Sequence, residues 1–253
     1  MQFVVTADTD IGISKGTNQD SILIKHALYR NNEILLAIVA DGMGGLSKGE
    51  LASATVVKRF SKWFEKDLPY ELKNVDMNVI AGKWSLMLKS LNLEIQEYGN
   101  KINESLGTTF TGIFFIGEEY LIVHIGDSRV YKIDSYIEQL TTDQTFVERE
   151  VTRGNMTSEQ AKKDKRRNLL LQCVGASKTV EPQIIHGKTE TGVYMLCSDG
   201  FRHEIDEREM YDSLNPINLI NKKSMHSNAQ YLIQQVKNKG ERDNISVVLI
   251  KTN

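Results

Sequence analysis

Four aspartates stand where short apolar runs begin or end, and their side chains are candidates for binding a metal ion. Asp41 follows the run ILLAIVA, Asp127 follows YLIVHI, Asp199 follows GVYMLC, and Asp243 precedes ISVVLI. Asp and Gly are depleted inside strands and common in turns, so each position taken alone indicates only a turn. The recurrence of the pattern at four strand ends favours a shared role.

Convergence of these acids at one edge of a sheet would create a site for a hard divalent cation. Buried like charges at close range are costly unless a cation neutralises them. Oxygen ligands with no nearby His or Cys suit Mg²⁺ or Mn²⁺. Glycines beside the acids, such as Gly42 after Asp41, allow backbone carbonyls and water to approach the ions. Ions held in this way commonly serve phosphoryl chemistry.

The apolar runs have the length and composition of β-strands. The predicted strands are Ser21–Leu28, Ile34–Ala40, Thr108–Ile116, Tyr120–Ile125, Arg129–Ile133, Tyr136–Leu140, Gly192–Leu196 and Ile245–Ile250. Two segments, Leu51–Phe64 and Ile80–Tyr98, repeat apolar residues in steps of three and four, which predicts helices with one apolar stripe each. Hairpin turns between strands imply antiparallel pairing. We therefore predict an α+β fold, a four-layer α-β-β-α sandwich of two antiparallel sheets flanked by helix pairs.

Composition and charge narrow the class of protein. The chain has 253 residues, 40% of them apolar and 25% charged, which is ordinary for one globular domain over residues 1–253. A polar, charged segment at about 144–190 is predicted to leave the sheets as a flap. The net charge of −2 gives no basic face for nucleic acid. No secretion signal and no membrane-length apolar run occur, so we predict a cytoplasmic protein without a membrane partner, its two cysteines reduced.

Seven short motifs surround the acids and follow one another in order along the chain. They are Lys15-Gly16-Thr17-Asn18-Gln19-Asp20, Asp41-Gly42-Met43-Gly44-Gly45, Gly107-Thr108-Thr109, Gly126-Asp127-Ser128-Arg129, Leu140-Thr141-Thr142-Asp143, Cys197-Ser198-Asp199-Gly200 and Asp243-Asn244. In kind and order they resemble the motifs of the PPM-type, or type 2C, Ser/Thr protein phosphatases in their compact bacterial form. Each motif alone is weakly specific, whereas the ordered set extends over nearly the whole chain.

The resemblance implies a set of ligands for two core ions, Mn²⁺ or Mg²⁺. Asp41 would bridge the two ions, and Asp199 and Asp243 would complete the first site. The carbonyl of Gly42 would join Asp41 at the second site, where Asp20 would hold a metal-bound water.

Two further roles follow from the same resemblance. Asp127, together with Asp199, would bind a third, looser ion of the kind found in many bacterial members. Lys15 occupies the position of the family's phosphate-binding arginine. Lysine lacks the bidentate fork of arginine, so we expect altered affinity for phosphate.

The implied activity is metal-dependent hydrolysis of phosphoserine and phosphothreonine by a water that bridges two ions. The expected partners are phosphorylated proteins and a cognate Ser/Thr kinase, and the chain is expected to act as a monomer. Two alternatives stay open: a catalytically weak or inactive relative that binds phosphoproteins or a kinase without hydrolysis, and a phosphatase for a small molecule or specialised regulator.

Three other positions bear on the site. Met43 stands where eukaryotic relatives often have a proton-donating histidine, and Gln19 where some relatives have a metal-binding carboxylate. His203 follows Asp199 by four residues, where some relatives place another acid. It is either an ordinary surface or core histidine or a residue that lines the site.

Overall fold

Two five-stranded antiparallel sheets form the centre of the computed structural model, which describes residues 1–43 and 48–253. In spatial order the first sheet contains β1 (Phe3–Asp10), β10 (Ile245–Thr252), β9 (Gly192–Cys197), β6 (Arg129–Ile133) and β7 (Ile137–Gln139). The second contains β2 (Ser21–Tyr29), β3 (Asn32–Ala40), β4 (Phe110–Ile116), β5 (Glu119–Ile125) and β8 (Gln183–Lys188). Gly44 and Gly45 of the second predicted motif lie outside the described residues.

Helices cover the outer face of each sheet. The second sheet is covered by α1 (Gly49–Lys62), the short α2 (Leu68–Glu71) and α3 (Met77–Ile102), with a π-helical turn at Trp63–Asp67 and a 3₁₀ turn at Leu72–Asn74. The first sheet is covered by α6 (Asp199–Arg202), α7 (Glu207–Leu214) and α8 (Lys222–Asn238). Two short helices, α4 (Phe146–Thr152) and α5 (Ser158–Lys163), lie between β7 and β8 in the chain.

Strand β3 shows why the chain forms four layers. Side chains alternate across a strand, and β3 is apolar on both faces: Ile34, Leu36 and Ile38 pack with the helices, whereas Leu35, Ala37 and Val39 pack toward the other sheet. A strand that is buried on both faces requires a layer on each side. The α+β sandwich predicted from the sequence is confirmed.

The predicted elements are present with small shifts of their ends, and several others were missed. Strand β6 has the predicted bounds, and the predicted helix Ile80–Tyr98 lies inside the longer α3. Strand β1 was not predicted, and the helix layer of the first sheet was predicted but its helices were not located. Strand β8 lies in the segment 144–190 that was predicted to leave the sheets, so that prediction is wrong for Gln183–Lys188, which pairs with β5. No helix in residues 1–43 or 48–253 has both the length and the apolarity to cross a bilayer.

His124 in β5 is a buried histidine that the fold holds neutral. Its Nδ1 lies 2.9 Å from the Thr111 hydroxyl, and its Nε2 has no hydrogen-bond partner in the described part of the chain. Burial lowers the pKa of His124 to about 4. In the unfolded chain a histidine titrates near 6.5, so protons bind the unfolded state more tightly and acid favours unfolding.

This histidine gives a pH-dependent stability that can be measured. We compare the free energy of unfolding of the wild type with that of His124→Gln. The wild-type value minus the variant value should fall by about 2–3 kcal/mol between pH 7 and pH 4.5, because the unfolded state binds a proton at His124 over that range and the folded state does not. Urea unfolding at several pH values measures this difference, and aspartates common to both proteins cancel in it. Identical pH dependence of the two proteins would contradict the expectation.

Candidate metal centre

The strand register brings the predicted acids to one edge of the sandwich. Ser21, which follows Asp20, pairs with Ala40, which precedes Asp41. In the other sheet Cys197 of β9 pairs with both Val247 of β10 and Arg129 of β6. The residues just beyond these pairs are Asp199, Asp243 and Asp127, so the turns that carry them gather at the same end of that sheet.

The backbone of Asp41 is fixed by the Gly107-Thr108-Thr109 motif. The Asp41 carbonyl accepts hydrogen bonds from the Thr109 amide at 2.8 Å and from the Thr108 hydroxyl at 2.9 Å. The Asp41 amide donates to the Thr109 hydroxyl at 2.9 Å, and that hydroxyl lies 2.9 Å from the hydroxyl of Ser128. These contacts hold the Asp41 side chain at the end of β3 and tie it to the turn of Asp127.

Gly42 is required by close backbone packing. A Cβ at this position would lie 2.5 Å from the Gln19 carbonyl oxygen and 2.7 Å from the backbone of Gly49. The Gly42 amide also donates to the Gln19 carbonyl at 3.2 Å. The chain before Asp20 and the chain after Asp41 therefore run in direct contact.

Asn244 connects the N-terminal loop to the turn of Asp243. Its Oδ1 accepts from the Gln19 amide at 2.9 Å, and its Nδ2 donates to the Ile11 carbonyl at 2.9 Å. The neighbouring Glu241 accepts from the amides of Arg242 and Asp243 at 2.7 and 2.8 Å. Glu241 thus orders the turn of Asp243, a role that no motif in the sequence indicated.

Asp20 has a buried carboxylate without hydrogen-bond partners. Both of its side-chain oxygens are buried and make no hydrogen bond in the described part of the chain. Burial raises the pKa of Asp20 to about 7, and the charges of Asp199 and Asp243 add to the rise. The hydroxyls of Ser246 and Ser198 lie near enough to oppose it, although neither meets the geometry of a hydrogen bond to the carboxylate. A buried carboxylate without donors is suited to a cation or to cation-bound water.

Asp41 lies at the electrostatic centre of the group. Burial raises its pKa well above the ordinary value, and the charges of Asp20, Asp199, Asp127 and Asp243 raise it further, in that order. The carboxylates therefore lie within electrostatic range of one another. In residues 1–43 and 48–253, no three Asp, Glu, His or Cys side chains are close enough together to hold one ion as they stand.

Lys15 lies at the same edge and pairs with one of the acids. Its Nζ is 2.9 Å from Asp243 Oδ1, and its side chain is about one-quarter exposed. Burial alone would lower the pKa of Lys15, but the hydrogen bond and charge of Asp243 and the charges of Asp41 and Asp199 raise it overall. The predicted phosphate-binding side chain is thus charged and next to the predicted metal ligands.

Asp127 is buried near Arg202, Arg129 and Asp143. Burial and the charge of Asp199 raise its pKa to about 7, against the opposing charge of Arg202. Arg202 donates to the backbone carbonyl of Asp127 at 2.9 Å. No sequence pattern singled out Arg202, because its role depends on the one-turn helix α6 that begins at Asp199.

His203 is a residue of this edge. Its Nε2 lies 3.9 Å from Asp199 Oδ2, and its Nδ1 lies 3.8 Å from Glu241 Oε2. Burial lowers the pKa of His203, and the charge of Arg202 acts in the same direction against the opposing charges of Asp199 and Glu241. Gln19 donates to Glu50 at 3.2 Å, with its side chain directed toward α1.

Comparison with known proteins agrees with this arrangement. Residues 13–241 match the family described as protein phosphatase 2C. The chain is 31% identical over 247 residues to the serine/threonine protein phosphatase PstP of Mycobacterium tuberculosis, with 96% of this chain and 44% of PstP aligned. It is 30% identical over 259 residues to the serine/threonine phosphatase stp of Listeria welshimeri, with 97% of this chain and 94% of the relative aligned. This chain therefore spans less than half of PstP but nearly all of the Listeria protein.

Solved structures show the same architecture. The serine/threonine phosphatase of S. agalactiae superposes with a TM-score of 0.86 at 27% identity, with all of both chains covered. The catalytic domain of PstP in complex with two manganese ions superposes with a TM-score of 0.77 at 26% identity, with 98% of this chain and 97% of that domain covered. Together with the acidic edge and the ordered motifs, these matches establish that the chain belongs to the protein phosphatase 2C family.

Proposed function

We propose that this chain is a metal-dependent protein phosphatase that hydrolyses phosphoserine and phosphothreonine in proteins. The observation that carries the proposal is the group of acids around Asp41, in which the buried Asp20 carboxylate has no hydrogen-bond partner within the described chain. Such a group is stabilised by divalent cations, and oxygen donors without sulfur or imidazole suit Mn²⁺ or Mg²⁺. The manganese ions of the similar PstP domain support the choice of metal.

Within this proposal each residue has a stated task. Asp41 would serve both ions, Asp199 and Asp243 would hold the first, and the Gly42 carbonyl and Asp20 would serve the second, Asp20 through water. When bound, two such ions lower the pKa of a shared water and offset the negative charge of the phosphoryl oxygens. The hydrogen bonds of Thr108 and Thr109 to Asp41 and of Glu241 to the Asp243 turn keep these ligands in place.

The substrate class is tested by comparing phosphopeptides. With Mn²⁺ present, we expect phosphate release from phosphoserine and phosphothreonine peptides to exceed that from a phosphotyrosine peptide of the same sequence. Hydrolysis restricted to small phosphate esters would contradict the proposal and favour a small-molecule phosphatase. Binding of the peptides by the folded chain without any hydrolysis would favour the inactive relative.

Lys15 is proposed to bind the substrate phosphate, exchanging its contact with Asp243 for one with a phosphoryl oxygen. Because a hydrogen bond to a charged group is worth about 1.5–3 kcal/mol, Lys15→Ala should raise KM for a phosphothreonine peptide at least about tenfold. Lys15→Arg should restore or lower KM, since guanidinium binds phosphate bidentately. Steady-state kinetics measure both effects.

The matched control for Lys15 is Lys89→Ala, which removes a lysine from an exposed ion pair with Glu181. This variant should leave KM unchanged. A KM for Lys15→Ala equal to that of the control would show that Lys15 does not contact phosphate.

The biological setting follows from the chemistry of the substrate. We propose phosphorylated proteins as substrates, and their phosphate must be supplied by a kinase that acts on serine and threonine. The monomeric state, the cytoplasmic location and the flap role of residues 144–190 stay predictions from the sequence.

A further inference from the structure

Four charged side chains form a cluster at the inner end of the acidic edge. Arg129 donates to both carboxylate oxygens of Asp143, at 2.7 Å each. Arg202 Nη2 lies 3.3 Å from Asp143 Oδ2 and 3.6 Å from Asp127 Oδ2. The side chains of Arg202, Asp127 and Asp143 are each no more than 10% exposed. We call these four residues the arginine cluster.

When Asp127 is ionised, the charges of the arginine cluster balance without a metal ion. Arg129 and Arg202 supply two positive charges, and Asp127 and Asp143 supply two negative charges. A guanidinium cannot lose its proton under ordinary conditions, so the positive charge beside Asp127 is permanent. Asp127 therefore has a fixed counter-charge, unlike Asp20, whose oxygens have no partner in the described residues.

The short helix α6 places Arg202 three residues after Asp199. The two residues are the ends of α6, and side chains three apart lie on the same face of a helix. The hydrogen bond from Arg202 to the Asp127 carbonyl, at 2.9 Å, anchors the guanidinium beside Asp127, whose carboxylate also feels the charge of Asp199. A cation shared by these two aspartates would have to occupy the same region.

An added ion at Asp127 would face unfavourable electrostatics. A divalent cation binds a carboxylate oxygen at about 2 Å. If it bound Asp127 Oδ2, it would lie within about 6 Å of Arg202 Nη2, because that nitrogen is 3.6 Å from the same oxygen. The side chains are shielded from water, so the repulsion would be screened weakly.

We propose that the guanidinium of Arg202 takes the place beside Asp127 that a third metal ion would otherwise take, so that this chain binds two ions and not three. The inference rests on the proposed two-ion site around Asp41. In this account Arg202 is a positioning residue, because it holds Asp127 in place and does not contact the substrate.

The test is the number of ions bound per chain. Equilibrium dialysis of the full chain against Mn²⁺, followed by elemental analysis, should give two ions for the wild type and two for Asp127→Asn. Arg202→Thr, which removes the guanidinium, should bind a third, weaker ion, and the double variant Arg202→Thr/Asp127→Asn should return to two. Arg202→Lys, which keeps a positive charge, should also bind two.

Each outcome decides between the possibilities. If the wild type binds three ions and Asp127→Asn binds two, the inference is overturned and the proposed function stays intact. This comparison does not require any Arg202 variant to fold. A folded Arg202→Thr that still binds two ions would show that the guanidinium is not what excludes the third. A wild type that binds no Mn²⁺ would overturn both the inference and the proposed function.

Discussion

Replacing Asp41 by asparagine should lower kcat/KM for a phosphothreonine peptide at least ~10³-fold, equivalent to ~4 kcal/mol of transition-state stabilisation. Asparagine has the same shape, so the hydrogen bonds from Thr108 and Thr109 to the backbone of residue 41 can persist. The loss would come from the missing charge of the ligand that bridges the two ions.

The same substitution should stabilise the metal-free protein. Burial and the neighbouring acids raise the pKa of Asp41 well above its ordinary value, which means that the folded state disfavours the charged form. An uncharged asparagine removes that cost, so Tm in the presence of a chelator should rise while activity falls. A substitution that raises stability and lowers activity identifies a residue that serves function and not folding.

The control for Asp41 is Asp212→Asn, at an exposed side chain in α7 whose only described ion pair is with Arg208. This variant should change neither kcat/KM nor the Tm of the chelated protein. An Asp41→Asn protein with wild-type activity would contradict the assignment of Asp41. An Asp41→Asn protein that is destabilised to the same degree as it is inactivated would point to a structural role.

Replacing Asp143 by asparagine should lower the free energy of unfolding by about 3–5 kcal/mol, because it leaves two largely buried guanidinium groups short of a counter-charge. Asp143 accepts two hydrogen bonds from Arg129 at 2.7 Å, and Arg202 lies 3.3 Å away. Although burial raises the pKa of Asp143, the charges of Arg202 and Arg129 lower it overall, so the folded protein favours its charged form. Urea unfolding at pH 7 measures the loss.

The comparison variant for Asp143 is Asp164→Asn, which breaks an ion pair between the Asp164 carboxylate and the exposed guanidinium of Arg166. Exposed pairs contribute little to stability, so this variant should unfold close to the wild type. A loss in Asp143→Asn no larger than that in Asp164→Asn would mean that the arginine cluster does not stabilise the fold.

Much of the architecture is predictable because the inner strands have continuous apolar runs that end in Asp and Gly. The edge strands are different: β8 alternates exposed and half-buried residues and carries His186 and Lys188, and β1 contains three polar or acidic residues among its last four. Their pairing with β5 and β10 provides the stability that local composition does not. Helix α8 did carry a usable signal, since Met225, Ala229, Leu232 and Val236 recur in steps of three and four.

Some residues of the candidate site are also predictable from the sequence, whereas others are not. Asp41, Asp199 and Asp243 are predictable because each follows or precedes an apolar run, and family resemblance adds Asp20, which lies in a motif before β2. Glu241 was missed because its bonds to the amides of Arg242 and Asp243 form a local turn that no motif marks. Arg202 was missed because its contact with Asp127 joins residues far apart in the chain. The Arg202 contact with Asp127 crosses 75 positions of sequence, and no local pattern reports such a pairing.

The most direct test of the central claim is phosphate release from a phosphothreonine peptide with Mn²⁺, with Mg²⁺ and with excess chelator, for the wild type and Asp199→Asn. We predict release by the wild type with metal, no release with chelator, and recovery when metal is restored. Asp199→Asn should release little phosphate under any of these conditions. Release that persists in excess chelator, or that is equal in Asp199→Asn and the wild type, would contradict the metal-dependent mechanism.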